Sequence, residues 1–373
     1  MGTFRAVGIL LALSLLAVGC SSSGDTQGPS SSVLPRPAAP VLPQPGQALQ
    51  LPAAGQLYHG VYVGDDSGQE DVATPALLDA YENAVGRQVA WVYFSHNWFN
   101  GTAFPAATAE WIRARGSVPY IRLMLRSSQE IGVAEPRYTL EAILRGDFDA
   151  ELRAWGQAAR AFGTPIIVEW GTEANGDWFS WNGAWNGGPG TGPALFREAF
   201  RYLVYSMKNQ GAYNITWVWH VNASDFPSAS WNALENYFPG NDIVDWIGLS
   251  VYAAQSQLDP FWYDFGYSLD FVMPRLSKIA PYKPVIVAEF GAPKGNPIGT
   301  PEVWADWALS QMIAGRWPSL KGFSWWNEAW SSELVPGEPL TNVEMRVQQT
   351  PQLAQAFRQR LNNPAVISDP IFR

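Results

Sequence analysis

Ile166-Ile167-Val168-Glu169-Trp170-Gly171-Thr172-Glu173-Ala174-Asn175-Gly176-Asp177-Trp178 is an apolar run that breaks into polar and small residues. Its first five residues are apolar almost without alternation, which is how a strand covered on both faces reads. Upstream, Leu140, Leu144, Phe148, Leu152, Trp155, Ala159 and Phe162 recur every three or four residues. That spacing predicts one amphipathic helix over 140–162, with Thr139 as its N-cap and Gly163 as its stop. Helix, short turn, buried strand and polar strand end together form one β/α unit.

Working outward, the same grammar repeats. Apolar β-rich runs occur at 57–63, 89–94, 118–125, 166–170, 215–220, 244–252, 285–290 and 322–326. Helical patterns at 194–207, 269–279, 303–313 and 353–361 follow several of them. Eight such strands predict an α/β fold of the (β/α)8 TIM-barrel type, a single catalytic domain over 55–373. A doubly wound open sheet is the alternative, but no Gly-rich dinucleotide fingerprint opens any helix.

The N-terminal segment is of another kind. Arg5 precedes an apolar run ending in Leu16-Ala17-Val18-Gly19-Cys20, too short for a permanent membrane span. Residues 1–19 are expected to be a signal peptide, and Cys20, at a lipobox-like ending, the lipidated N-terminus. Residues 20–54, rich in Ser, Pro, Gly and Ala, are expected to be an extended tether. The protein would then be exported and anchored by its lipid to the bacterial cell envelope.

Composition narrows the function. The chain has 373 residues, 47% hydrophobic and 15% charged, which excludes a disordered polypeptide. A net charge of -9 without a basic stripe argues against a nucleic-acid partner. Cys20 is the only cysteine, so disulfides within the chain and cysteine-built metal sites are excluded. His59, His96 and His220 share no ligand spacing; neither metal nor cofactor is expected, and a monomer is.

Barrel enzymes carry their chemistry at the C-terminal ends of strands. The fourth strand ends in Glu173, the seventh in Glu289, the fifth in His220 and Asn222, the sixth in Tyr252, and the eighth in Trp325-Trp326-Asn327-Glu328. Nineteen Trp, 14 Tyr and 18 Phe supply aromatic surface, with Trp178, Trp181 and Trp185 in one Gly/Asn-rich loop. Two carboxylates among indoles suit glycoside hydrolysis with retention, which needs carboxyls roughly 5–5.5 Å apart. Indole faces suit the apolar C–H patches of sugars. Glu169, inside its strand, is expected to be a buried structural carboxylate paired with Arg122, and Glu328 to sit on the rim.

These motifs resemble glycoside hydrolase family 26, retaining (β/α)8 enzymes dominated by endo-β-1,4-mannanases. The resemblance rests on the 138–143 and 173–178 stretches, on Ile215-Thr216-Trp217-Val218-Trp219-His220-Val221-Asn222, on Val244-Asp245-Trp246-Ile247-Gly248 with Tyr252, and on Lys283-Pro284-Val285-Ile286-Val287-Ala288-Glu289-Phe290-Gly291. It implies that Glu173 is the acid/base, Glu289 the nucleophile, Tyr252 the nucleophile's partner, Trp178 a sugar platform, and Trp325 or Trp326 the floor. His96, Asn175, Trp181, His220 and Asn222 complete the residues expected to touch substrate. The implied activity is that of a retaining endo-β-glycanase, first of all on β-1,4-mannan. β-1,3-Xylan, mixed-linkage β-glucan, a bacterial exopolysaccharide, or glycan binding without catalysis are the alternatives. Three departures stand out: Thr172 replaces the family's His before the acid/base, Glu169 replaces an Arg, and His220 replaces a Ser.

Overall fold

A computed structural model describes residues 42–332 and 340–373. The expected signal peptide, Cys20 and most of the tether lie outside the described residues. Eight parallel strands form the barrel: β1 (Leu57–Val63), β2 (Trp91–Asn97), β3 (Val118–Met124), β4 (Ile166–Trp170), β5 (Ile215–Asn222), β6 (Trp246–Tyr252), β7 (Val285–Gly291) and β8 (Leu320–Asn327). β8 pairs with β1 from Tyr58↔Gly322 to Val63↔Asn327, which closes the barrel. Helices α1 (Pro75–Val85), α2 (Ala106–Ala114), α3 (Leu140–Leu144), α4 (Asp149–Phe162), α5 (Gly188–Lys208), α6 (Phe265–Ile279), α7 (Pro301–Ile313) and α8 (Pro351–Leu361) surround it. A hairpin of β9 (Ala329–Ser332) and β10 (Thr341–Glu344) follows β8, and β11 (Val366–Ile367) pairs with the start of β1. Among the described residues, no helix is long and apolar enough to cross a membrane.

The alternation of each strand separates two cores. One lies between strands and helices and takes residues such as Val92, Phe94, Trp170, Trp219, Phe290 and Trp325. The other fills the barrel with Tyr58, Tyr62, Trp91, Tyr93, Tyr120, Trp246 and Trp326. So many rings fit only because small residues face large ones. A Cβ on Gly60 or Gly322 would lie 2.0 Å or 2.3 Å from the Trp91 ring, whose Nε1 donates to Ser324 Oγ at 2.7 Å.

Two local features differ from the sequence expectation. The single helix over 140–162 is two helices. Thr139 does cap the first, accepting from Ala142 N, and Gly163 does stop the second at φ 75°. Between them Gly146 takes φ 81°, and apolar positions stay buried on both sides of the break. Several strands also outrun their apolar stretches and end on Asn97, Asn222, Gly291 and Asn327. Backbone pairing continues into the mouth after the side chains have turned polar.

Candidate active site

A register shift in β7 decides where Glu289 points. Val287 pairs with Phe323 and Leu249, whereas Phe290 pairs with Trp325 and Glu289 with Ser250. Ile286 and Ala288 face the barrel interior and Phe290 the helices. Strict alternation would send Glu289 outward with Val287. The irregularity turns it into the mouth instead, as bulges beside active sites do. There Glu289 is buried, its Oε2 accepting from Tyr252 Oη at 2.9 Å. Its Oε1 lies 3.0 Å from Tyr93 Oη and 3.5 Å from Arg122 Nε. Burial pushes its pKa up to about 7; Arg122 pulls against this and Glu173 adds to it.

Glu173 reaches the same mouth from the turn after β4. Gly171 and Glu173 both take positive φ, 69° and 49°, and Glu173 is the only non-glycine residue described to do so. Trp178 Nε1 donates to its Oε2 at 2.6 Å and Asn222 Nδ2 to its Oε1 at 3.1 Å. The two carboxyls thus receive different partners: an indole and an amide for Glu173, two phenols and a guanidinium for Glu289.

Beneath them Glu169 is fully buried, as expected, but Arg122 is its weakest neighbour at 4.0 Å. Its oxygens accept from Tyr93 and Tyr120, each at 2.5 Å, and lie 3.1 and 3.0 Å from His220 Nδ1. His220 Nδ1 is also 2.8 Å from Thr172 Oγ1, and its Nε2 is 2.8 Å from Ser250 Oγ. The acid pulls the imidazole's pKa upward against the burial that would lower it. Ligand atoms of Glu169, His220 and Glu289 fall within 4.8 Å of one another. Both ring nitrogens are already engaged and both acids already accept from tyrosines, so the trio fits a hydrogen-bonded ion pair better than a metal centre.

The eighth strand resolves the choice between its two indoles. Trp326 faces inward and stacks on Tyr62, ring centroids 3.6 Å apart and planes 10° from parallel. The Arg122 guanidinium lies 5.3 Å from the Trp326 ring and 5.4 Å from Phe179. Trp325 faces the helices, packed on Phe290 and Phe357, with Nε1 donating to Met345 O. Expecting Trp325 at the sugar is therefore corrected by strand parity.

Parity also removes His96, which lies on the outer face of β2 with Nδ1 3.5 Å from Trp155 Nε1. His220 lies below the mouth with no exposed surface, and Asn175 is spent bridging Asn222 O, Ser224 O and Asp225. Trp181 is buried on Phe179 and donates to Thr172 O, bracing the turn that carries Glu173. His220, Asn175 and Trp181 brace the site from behind, and His96 lies on the helix side of the sheet. Glu328 is not on the rim but buried, packed over Gly64, with Oε1 lacking a hydrogen-bond partner and its pKa held well above the ordinary range by burial.

Sequence reading missed Tyr93, Tyr62, Phe179 and Glu70. Tyr62 and Tyr93 were discoverable, since alternation in β1 and β2 places both inside. Glu70 came from a loop without a pattern; it bridges Arg122, at 3.2 Å, to Arg126.

Comparison with known proteins agrees with this architecture. The profile of Glycosyl hydrolase family 26 matches residues 142–269, a stretch that includes Glu173, Asn222 and Tyr252. A β-1,3-xylanase of a Vibrio species is 25% identical over 62% of this chain and 52% of its own length. Endoglucanase H of Acetivibrio thermocellus is 24% identical over 65% of this chain and 25% of its own. A β-1,3-xylanase of an Alcaligenes species is 24% identical over 61% and 49%. The chain thus spans about half, or less, of the curated relatives it matches. Among solved structures, a Bacillus subtilis mannanase superposes with a TM-score of 0.57 at 16% identity, covering 85% of this chain and 88% of that one. A β-mannanase from Bacteroides ovatus gives 0.56 at 13% identity, covering 84% and 91%. These structures share the barrel.

Proposed function

We propose that this chain, which carries the family 26 glycosyl hydrolase signature on a closed (β/α)8 barrel, is a retaining endo-β-glycanase. The supporting observation is the unequal setting of two buried carboxyls at one mouth. Glu289 attacks the anomeric carbon as the bond to the leaving oxygen breaks, and Glu173 gives that oxygen its proton. Glu173 then takes a proton from the water that releases the sugar from Glu289. Tyr252 and Arg122 steady Glu289, Trp178 and Asn222 aim Glu173, and Trp326 floors the site. No step requires a cofactor.

The substrate order is β-1,3-xylan before β-1,4-mannan. Two of the three sequence relatives above bear the β-1,3-xylanase name, whereas the mannanases cited enter as fold neighbours below 20% identity. Thr172 and Glu169, fully buried beneath the two carboxyls where the family pattern has His and Arg, support a substrate other than mannan. Reducing-end release from β-1,3-xylan, mannan and mixed-linkage glucan, with product anomers read by NMR, tests both parts. The expectation is β-configured product at first appearance and no turnover by a folded Glu289→Ala protein. Inverted product, or wild-type turnover in that variant, overturns the mechanism. Binding without hydrolysis across the panel would replace the enzyme with a glycan-binding protein.

We also propose that Cys20 carries the lipid that holds the protein to the envelope. Cys20→Ser should abolish incorporation of labelled palmitate and move the protein out of the membrane fraction; unchanged fractionation and labelling would refute the anchor.

A further inference from the structure

Tyr93 has one hydroxyl proton and two carboxylates within reach. Its oxygen is 2.5 Å from Glu169 Oε1 and 3.0 Å from Glu289 Oε1. Only one of them can receive that proton, and the shorter contact marks Glu169. Glu169 has no exposed surface, so its charge needs a partner. Arg122 is 4.0 Å away and already shared with Glu70 and Glu289. His220 Nδ1, close to both Glu169 oxygens, is the nearer cation. Its Nε2 partner Ser250 and its second Nδ1 neighbour, Thr172 Oγ1 at 2.8 Å, are hydroxyls that can accept as well as donate. A doubly protonated ring is therefore compatible with its surroundings, the Nδ1 proton being shared between Thr172 and Glu169.

We propose that Glu169 is a positioning residue for Glu289: paired with the His220 imidazolium, it captures the Tyr93 proton and leaves Glu289 with Tyr252 as its sole phenolic donor. The inference deepens the proposed role of Glu289 and rests on it only for its meaning in catalysis. When Glu289 is protonated, its own hydroxyl donates to Tyr93 Oη, whose proton stays on Glu169. When Glu289 ionises, that donation ends and nothing from β2 replaces it. The charged and titratable groups around Glu289 are Tyr93 from β2, Tyr120 and Arg122 from β3, Glu169 from β4, Glu173 from the turn after it, His220 from β5 and Tyr252 from β6. His220 in turn faces Glu169, Glu173 and Glu289. The arrangement keeps Glu289 harder to ionise than a carboxylate served by two phenols would be.

The test needs no turnover. In the full chain with 13C-labelled glutamate carboxyls, Glu289 is titrated by NMR in wild type, Tyr252→Phe, Tyr93→Phe and Glu169→Gln. Losing a real donor moves the midpoint up, so Tyr252→Phe should raise it by about one pH unit. Tyr93→Phe removes no donor, only the oxygen to which protonated Glu289 donates, so the midpoint should fall and not rise. Glu169→Gln replaces a strong acceptor with a weak one, releases the Tyr93 proton to Glu289 and should lower the midpoint by about one unit. Nitrogen-15 spectra of His220 should show both ring nitrogens protonated at neutral pH in wild type and a neutral ring in Glu169→Gln. A Tyr93→Phe rise equal to that of Tyr252→Phe overturns the proposal, as does a neutral His220 in wild type. An unmoved or raised midpoint in Glu169→Gln does the same. If Glu169→Gln fails to fold, the two tyrosine variants and the wild-type imidazole spectrum decide alone. A chain that hydrolyses nothing on the panel would refute the proposed function while these titrations still read the hydrogen-bond assignment.

Discussion

Glu173 occupies a backbone conformation that costs a non-glycine residue about 1–3 kcal/mol. With φ 49°, it presents its carboxyl to Trp178 Nε1 and Asn222 Nδ2 at the price of that strain. Strain of this kind persists where the surroundings over-determine it, and here Gly171, Trp181 and Asn175 fix the turn from below. Glu173→Gly should therefore lose hydrolysis yet keep its melting temperature, or gain up to about 1 kcal/mol, since glycine relieves the conformation. Thermal unfolding alongside the glycan assay checks this; a loss of 2 kcal/mol or more would show that the carboxyl stabilises the fold. Glu289 carries the complementary prediction. In the role proposed for it Glu289 must be ionised, and burial raises its pKa to about 7. Activity should consequently fall as the pH drops through about 7, and this limb of kcat/KM should belong to the free enzyme. An acid limb near 4.5, the ordinary glutamate value, would mean that burial is offset by the partners around Glu289.

At the scale of elements, the barrel depends on ring against glycine. Gly60 and Gly322 admit Trp91 to the interior, and a methyl group at Gly60 would stand 2.0 Å from its indole. Gly60→Ala should destabilise by about 1–3 kcal/mol through overpacking, and adding Trp91→Leu should recover part of the loss. Denaturant titrations of both single variants and the double variant measure the coupling; strict additivity would mean that ring and methyl do not meet. The strands themselves were legible in sequence because each is buried on both faces and bounded by turn residues, so all eight appear where apolar runs predict them. Parity was legible too, though only within a regular strand: it would have excluded His96 and Trp325. The register shift before Glu289 was not legible, because no side chain in Val287-Ala288-Glu289-Phe290 announces an irregularity in the pairing with β6 and β8. Gly146 likewise broke a helix whose apolar period runs straight through it. The mouth's carboxylates and the Tyr252 beside Glu289 could be named from sequence; the rest of the arrangement, in which Tyr93, Arg122 and Asn222 arrive from β2, β3 and β5 and Trp178 from the turn after β4, could not be assembled from it.

Over the whole molecule, the buried ionisable groups set how stability follows pH. Burial of His59 and partial burial of His96 lower their pKa values from 6.5 to about 3 and about 4. Unfolding lets both take up protons below pH 6.5, so each costs stability as the pH falls through that window. Glu289 works in the other direction, raised from 4.5 to about 7: between those values the folded chain holds a proton that the unfolded chain has lost. Glu328, also raised well above 4.5, acts in the same direction. Between about pH 4.5 and 6.5 the protons that the histidines gain on unfolding oppose those that the raised acids release. Below that window Glu289 and Glu328 no longer differ between the states and the histidines prevail. Above it the histidines fall silent and the raised acids prevail, joined by His220, whose raised pKa also favours the folded chain only while it keeps its proton. Melting temperature should thus form a plateau on the acid side of neutral and decline toward pH 8. Glu289→Gln mimics the protonated acid, so it should match wild type near pH 4.5 and exceed it at pH 8 by on the order of 3 kcal/mol. Calorimetry across that range decides the matter: a variant whose advantage does not grow with pH would show that Glu289 ionises in the folded chain as easily as in the unfolded one.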